Sequence, residues 1–471
     1  MHSWNHQGLY RNKRLILYFL SILLLSVLGC QEDAGKIKKH NVILIVIDTW
    51  RYDTLSLEIN GMRVMPSAND FAKQNILFTN AFSQSPWTLP SFGTLFTSLY
   101  PSVHGAVRTG MLRGGKNFGI LRDDTETLAG ILKKNGFKTY AVACNNNLSP
   151  EFHINRGFDV YQIFRPEMKA MRLRADEAFQ LGLSWIKKNG QKGNFFAMIH
   201  LFDPHLSYNP PQEFSGMFDP SYTGRYKDNF DEKPESVREN KILLNAQEKE
   251  HIRNLYNAEV AFCDREFGKF LRALNDLNLL QDSVLILTAD HGEELWDHQS
   301  FEHGHTVYDE LVHVPLVMHF PVERGIQGKE IKGCVGLIDL MPTILDFMGI
   351  PIPKNVQGRS ILPYIMSDDK FKEEPLYCGS LLYGTEKISI RQGNYKYIRS
   401  VVEGGKDELY DLRQDPAEAK NIIDTEYPRK NILKLKLMAW YESNQKKAVN
   451  QKAVNLDKDT QERLKSLGYI Q

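Results

Sequence analysis

Cysteine is scarce in this chain. The five residues Cys30, Cys144, Cys263, Cys334 and Cys378 are widely spaced among 471, and no two form a Cys-x-x-Cys pair. That spacing excludes a small disulfide-stapled scaffold and a cysteine zinc site. It leaves one or two long-range disulfides, or buried free thiols. Excess charge is missing too: 58 Lys and Arg against 57 Asp and Glu give a formal net charge of +1. A nucleic-acid binder would show a strong basic excess, so that class is disfavoured. There is no long internal repeat and only one long apolar run. What is present, 42% hydrophobic and 24% charged residues, is the balance of a globular chain able to bury a sizeable core.

The one apolar run lies at the N-terminus. Arg11, Lys13 and Arg14 precede a stretch from Leu15 to Leu28, which closes on Gly29-Cys30 before the polar Gln31-Glu32-Asp33. A basic start, a short apolar stretch and a small residue at the cut make an export signal. The run is too short for a comfortable membrane span. The Gly-Cys ending resembles a bacterial lipoprotein signal. That resemblance implies a signal over residues 1–30, acylation of Cys30, and an exported, membrane-anchored protein of a bacterial cell envelope. Gln31 after the cysteine points to the outer membrane, or at least to a periplasm-facing site. An uncleaved signal anchor is the alternative.

After a charged linker over 31–40, Val42-Ile43-Leu44-Ile45-Val46-Ile47 has the continuous β-branched texture of a strand buried on both faces. Similar runs recur at Thr139–Ala143, Phe195–Ile199, Val284–Thr288 and Val314–His319, with helical patterns such as Leu128–Asn135 and Tyr256–Leu274 between them. Strands alternating with helices predict an α/β fold around a large, mostly parallel sheet. The catalytic domain is expected over 41–360, with a surface excursion from Tyr208 to Ala246. A subdomain over 361–430 should hold a small antiparallel sheet with a hairpin turning at Gln392–Asn394, and 431–471 should form a polar helical tail.

Ligands in open α/β sheets gather beyond the carboxyl ends of the strands. Two such ends carry metal-type side chains: Ile47-Asp48, and Ala289-Asp290-His291-Gly292-Glu293. Trp87-Thr88-Leu89-Pro90-Ser91 places a hydroxyl at a helix start, where free N–H groups favour an anion. His200-Leu201-Phe202-Asp203-Pro204-His205 and Glu302-His303-Gly304-His305 complete the set. Each piece alone has an ordinary structural explanation as a turn, a helix cap or a hydrogen-bonded histidine. Their combination and order are what point to chemistry.

That ordered set resembles the sulfatase family of the alkaline phosphatase superfamily, from Asn41 to about Asp424. Asp48-Thr49-Trp50-Arg51 resembles its opening metal strand, and Ser85 to Gly105 its nucleophile helix. Phe202 to Pro211 is similar to its Asp-Pro-His segment, Thr288 to Glu293 to its second metal motif, and Glu408-Leu409-Tyr410-Asp411-Leu412 to its C-terminal hairpin. The resemblance implies a metal-dependent hydrolase of anionic esters. Two departures matter. The family's Cys/Ser-x-Pro-x-Arg, whose first residue is oxidised to formylglycine, here reads Thr88-Leu89-Pro90-Ser91-Phe92. Thr cannot become formylglycine, but a Thr hydroxyl at a divalent metal loses its proton more easily and can attack directly. Thr49 also replaces a second Asp, and His291 stands where Asn is usual. Asp48, Thr88, Asp290 and His291 then make an oxygen-and-nitrogen set suited to zinc or manganese rather than calcium.

His205 and His303 are expected to clasp the ester and protonate the leaving oxygen. A second metal on Asp203, His205 and His303 is the alternative. Arg51 and Arg108 are candidate substrate-binding charges, and Ser85 or Ser91 is an alternative nucleophile. A phosphate or phosphonate ester is favoured because of the Thr nucleophile. A glycan sulfate ester, phosphoethanolamine-type transfer to a lipid headgroup, and a non-catalytic anion- or glycan-binding relic are the alternatives.

Overall fold

Val42 to Val46 offer no polar side chain on either face, and the strand they form, β1 (Asn41–Ile47), is buried along its whole length. Each such fully buried Val, Ile or Leu contributes about 1.5–3 kcal/mol. The computed structural model describes residues 38–109, 117–164, 173–367, 371–402 and 404–448, with 461 and 464. The expected signal and Cys30 lie outside the described residues. The chain divides into Met1–Lys39 and His40–Gln471, and the second unit carries everything that follows.

β1 is central in a nine-stranded sheet. Its companions are β2 (Ile76–Phe82), β3 (Lys138–Ala143), β4 (Val160–Ile163), β5 (Phe195–Leu201), β6 (Ser283–Ala289), β7 (His313–His319), β8 (Lys329–Ile331) and β9 (Val335–Gly336). The order is β8-β2-β7-β6-β1-β5-β3-β4, with β9 also on β2. β1 pairs in parallel with β5 and β6, while β7 runs against both its neighbours. The expected mostly parallel sheet is therefore present.

The longer helices are α1 (Pro66–Gln74), α2 (Thr88–Thr97), α3 (Leu128–Lys134), α4 (Ala175–Asn189), α5 (Ala246–Asp276), α6 (Leu340–Phe347) and α7 (Tyr427–Lys447). α5 starts ten residues before its apolar stripe suggests, because Asn245 and Glu248 close a capping box ahead of it. A second, antiparallel sheet follows: β10 (Leu376–Cys378), β11 (Lys387–Gln392), β12 (Tyr395–Ser400) and β13 (Glu408–Asp411). The β11–β12 hairpin turns where expected, at Gly393 with φ 59°.

The stretch from Tyr208 to Ala246 is more than a surface excursion. Tyr208 bridges to Phe230, and Phe214, Phe218, Tyr222 and Phe230 are buried. Aromatic anchors hold this polar segment down. Cys144, Cys263, Cys334 and Cys378 are buried thiols that form no disulfide among the described residues. Among the described residues, no helix is long and apolar enough to cross a membrane.

Candidate active site

Parallel register sets the site. Ile47 lies opposite Ala289 on one side and Leu201 on the other, so Asp48 and Asp290 leave the sheet side by side. α2 brings Thr88 to the same edge. Its first turn is braced by His104: the Ala106 N–H donates to Nδ1, which leaves the Nε2 proton for the Pro90 carbonyl 3.1 Å away. Burial holds the His104 pKa down at about 3, so the ring stays neutral.

Thr88 Oγ1 lies 3.3 Å from His291 Nε2. That nitrogen is 3.5 Å from Asp48 Oδ1 and 3.5 Å from Asp290 Oδ2. Both carboxylate oxygens are buried, with no hydrogen-bond partner among the described residues. His291 Nδ1 lies 2.9 Å from the Gly292 carbonyl, which can only accept. The ring proton therefore sits on Nδ1, and the Nε2 lone pair faces the two carboxylates. Three buried lone-pair atoms turned toward one another repel unless a cation joins them. Two oxygens, one imidazole nitrogen and an adjacent hydroxyl fit a divalent metal.

His200 illustrates how proton placement decides roles. Ligand-capable atoms of Asp48, His200 and Asp290 all lie within 4.8 Å of one another, so proximity alone makes His200 a ligand. But the Cys144 N–H donates to His200 Nδ1 at 3.2 Å. The remaining proton is then on Nε2, 3.4 Å from Asp48 Oδ2. His200 turns a proton-bearing nitrogen toward Asp48 at ion-pair distance, without the geometry of a hydrogen bond. Asn145, just past the end of β3, is the donor that orients Asp48: its Nδ2 donates to Asp48 Oδ2 at 2.7 Å and lies 3.4 Å from Thr88 Oγ1.

Burial alone would raise the Asp48 pKa. The His200 N–H turned toward it, and the fields of His205, His200 and His291, outweigh burial and bring the group to about 2. Asp290 is held well above the carboxylate range, by burial and then by Asp48. Burial lowers His291. Between the two strand ends, Thr49 sits at φ 57°, an uncommon conformation for a β-branched residue. Its carbonyl accepts from Tyr256 Oη at 2.8 Å, and its N–H reaches Asp290 Oδ1 at 3.4 Å. Gly292 lets the next turn through, since a Cβ there would run into the Glu310 carbonyl oxygen.

A second group borders the first. The His303 ring lies 4.5 Å from that of His291 and 5.0 Å from that of His205. His303 Nδ1 pairs with Glu293 Oε1 at 2.9 Å, and Tyr208 donates to Glu293 Oε2 at 3.0 Å. Burial, then the neighbouring histidines, push His303 well down, while burial and then Glu302 push Glu293 well up.

Asp203, a member of the alternative second metal group, accepts from the Ala175 N–H at 2.8 Å through Oδ2, at the start of α4. Arg51 is committed to Asp53, Asp297 and the Glu293 carbonyl. Arg108 donates to the Leu382 carbonyl. Ser85 and Ser91 give their hydroxyl protons to the carbonyls of Ser380 and Asp290. Phe92 is buried, edge-on to His200. Asn145 is the site residue that sequence reasoning leaves out; His200 and Glu293 lie inside the motifs it singles out but receive no role there.

A profile described as Sulfatase matches residues 40–350, and one described as N-sulphoglucosamine sulphohydrolase, C-terminal, matches 296–447. Arylsulfatase K of Homo sapiens is 26% identical, covering 87% of this chain and 84% of its own. An arylsulfatase of Clostridium perfringens is 23% identical, covering 84% and 92%. Among solved structures, a phosphonate monoester hydrolase of Agrobacterium radiobacter superposes with a TM-score of 0.69 at 19% identity, covering 86% of this chain and 96% of its own. A protein in complex with its substrate D-glucosamine-2-N,6-O-disulfate also gives 0.69 at 19%, covering 87% and 98%.

Proposed function

Because the chain belongs to the sulfatase family of ester hydrolases, in the alkaline phosphatase superfamily, we propose that it cleaves an anionic ester by direct attack of Thr88, with a phosphate or phosphonate ester as the favoured substrate. The observation carrying this reading is that Thr88 Oγ1 stands 3.3 Å from His291 Nε2, beside two unmatched carboxylate oxygens. A zinc or manganese ion held by Asp48, Asp290 and His291 would polarise the Thr88 hydroxyl and one substrate oxygen. Thr88, having lost its proton to solvent, attacks phosphorus in line. The bond to the leaving oxygen breaks, and that oxygen takes a proton from His303 Nε2 while Glu293 returns one to Nδ1. His205 faces the same ester. Water then displaces Thr88 Oγ1 and gives its proton back to the His303–Glu293 pair.

A sulfate ester is the second reading, favoured by the arylsulfatases that align over most of the chain. The test is turnover of matched aryl sulfate, phosphate, phosphodiester and phosphonate by metal-loaded wild type, Thr88→Ser and Thr88→Ala. Thr88→Ala should lose at least about 10³-fold in kcat, and Thr88→Ser should keep part of the rate. Activity surviving Thr88→Ala removes the nucleophile, and sulfate-only cleavage overturns the phosphorus preference. The reading also includes export and acylation at Cys30, which Cys30→Ser should abolish in a fatty-acid labelling experiment.

A further inference from the structure

The segment anchored by Tyr208 and Phe230 returns to the catalytic edge and encloses, with His205 and Glu302, a cavity of about 80 Å³. Its wall includes Leu206, Asp231, Glu232 and Lys233. Glu302 is the unusual member. It is 1% exposed. Its Oε2 is held by Arg238, and its Oε1 has no hydrogen-bond partner among the described residues. A buried acceptor left unmatched is destabilising, so Oε1 is an opening for a donor. The other two carboxylates are partly satisfied: Asp231 Oδ1 accepts from Ser207 Oγ, and Glu232 Oε1 accepts from Tyr226 Oη at 2.9 Å.

The cavity also lies in a telling place. Thr88, His291, His303 and His205 form a continuous row, with 3.3 Å from Thr88 Oγ1 to His291 Nε2, then ring spacings of 4.5 and 5.0 Å. His205 is the end of that row and a wall of the cavity. An ester attacked by Thr88 and protonated beside His303 would send its alcohol portion beyond the row. Three carboxylates against Lys233 and an Arg238 already engaged by Glu302 make a poor receptor for a second anionic group. An apolar group would leave Oε1 unmatched. The cavity is small, about 80 Å³, so a short substituent suits it better than a large one.

We propose that this cavity reads a second hydrogen-bond donor on the alcohol of the ester, a hydroxyl or ammonium group two carbons from the ester oxygen, with Glu302 as its acceptor and Asp231 beside it. Glu302 is then a specificity-determining residue, and the substrates are esters of vicinal diols or amino alcohols. The placement rests on the Thr88 reading, so the test separates the two. Binding is measured by calorimetry on metal-loaded Thr88→Ala protein. The ligands are the 2-aminoethyl, 2-hydroxyethyl and n-propyl monoesters of methylphosphonic acid and of sulfuric acid. In one acid series or the other, a donor-bearing ester should bind at least about tenfold more tightly than its propyl counterpart. That preference should shrink to about twofold or less when Glu302→Gln is added, and should weaken with Asp231→Asn, which does not touch the Arg238 pair. Equal affinities, a preference that survives both substitutions, or no binding by any of the esters would overturn the inference. Ammonium favoured over hydroxyl identifies an amino-alcohol headgroup, and the reverse a polyol such as a glycan. Turnover persisting in Thr88→Ala would sink the nucleophile reading instead, and leaves the comparison of affinities standing.

Discussion

Asn145 separates positioning from chemistry. It cannot accept the leaving group or attack, yet its Nδ2 holds Asp48 Oδ2 at 2.7 Å while its Oδ1 accepts from the Asn147 N–H at 2.9 Å. One side chain thus ties the turn after β3 to the carboxylate at the end of β1. Residues that orient a ligand typically cost 10–100-fold in metal affinity or activity when lost. Asn145→Ala should weaken zinc or manganese retention by about that factor, read by competition with a chromogenic chelator. Unchanged metal affinity would mean that Asp48 needs no orienting partner. Asn145 is invisible in the sequence, and the role of His200 is too, for a physical reason. An Asn after a strand looks like any turn residue, and His200, though it opens a singled-out motif, lies near the end of a buried strand where a histidine reads as core. Only the register of β3 and β5 against β1 brings them to Asp48. Asp48, Thr88, Asp290 and His291 were legible because each ends a buried strand or starts a helix, where an uncompensated polar group needs a reason.

At the scale of elements, the buried parallel strands and long helices declared themselves through periodicity, while β2 did not. Ile76-Leu77-Phe78-Thr79-Asn80-Ala81-Phe82 alternates imperfectly, and its burial is partial, so pattern alone gives no strand there. The junction between the main sheet and the C-terminal one was likewise hidden, because it is built of charge. Lys396 on β12 is 2% exposed and bridges Asp309 and Glu418. His298 stands beside them, with Nδ1 2.7 Å from Glu310 Oε1, Nε2 3.2 Å from the Glu418 carbonyl, and its ring stacked on Tyr308. Both nitrogens face acceptors, so the ring is an imidazolium. Burial opposes that charge, but Glu310 outweighs it and lifts the pKa from 6.5 to about 9. A raised folded pKa stabilises fully below the unfolded value and fades as pH rises through the folded one. The junction should therefore weaken between about pH 6.5 and about pH 9. His298→Gln should lower the unfolding midpoint near neutrality and narrow its fall on going to about pH 10. A wild-type melting profile no steeper over that range than the variant's would show that His298 is not charged there.

For the whole molecule, the arrangement that serves chemistry works against stability. Asp48 Oδ1, Asp290 Oδ2 and His291 Nε2 converge at the end of the two central strands, in the middle of the largest sheet. Without a cation, that convergence places the Asp48 carboxylate, an Asp290 carboxyl pushed to keep its proton and a lone pair together in a dry environment. A bound ion reverses the sign, and an ion at 100 times its dissociation constant adds about 2.7 kcal/mol if the unfolded chain ignores it. Because the proposed ligands follow β1 and β6 directly, the gain would belong to the global unfolding of the fold rather than to a loop. Two opposite effects of Asp290→Asn follow. In metal-stripped protein, burial and Asp48 force the Asp290 carboxyl to keep a proton that it loses on unfolding, so the amide removes that cost and should raise the melting temperature above that of stripped wild type. In the presence of zinc or manganese it removes a ligand, so the metal-induced rise should largely disappear. Thermal melts with chelator and with metal, on both proteins, read all four states. Wild type indifferent to chelator would mean no ion is bound there. Stripped Asp290→Asn melting below stripped wild type would mean the carboxylate is held for the fold and not for an ion.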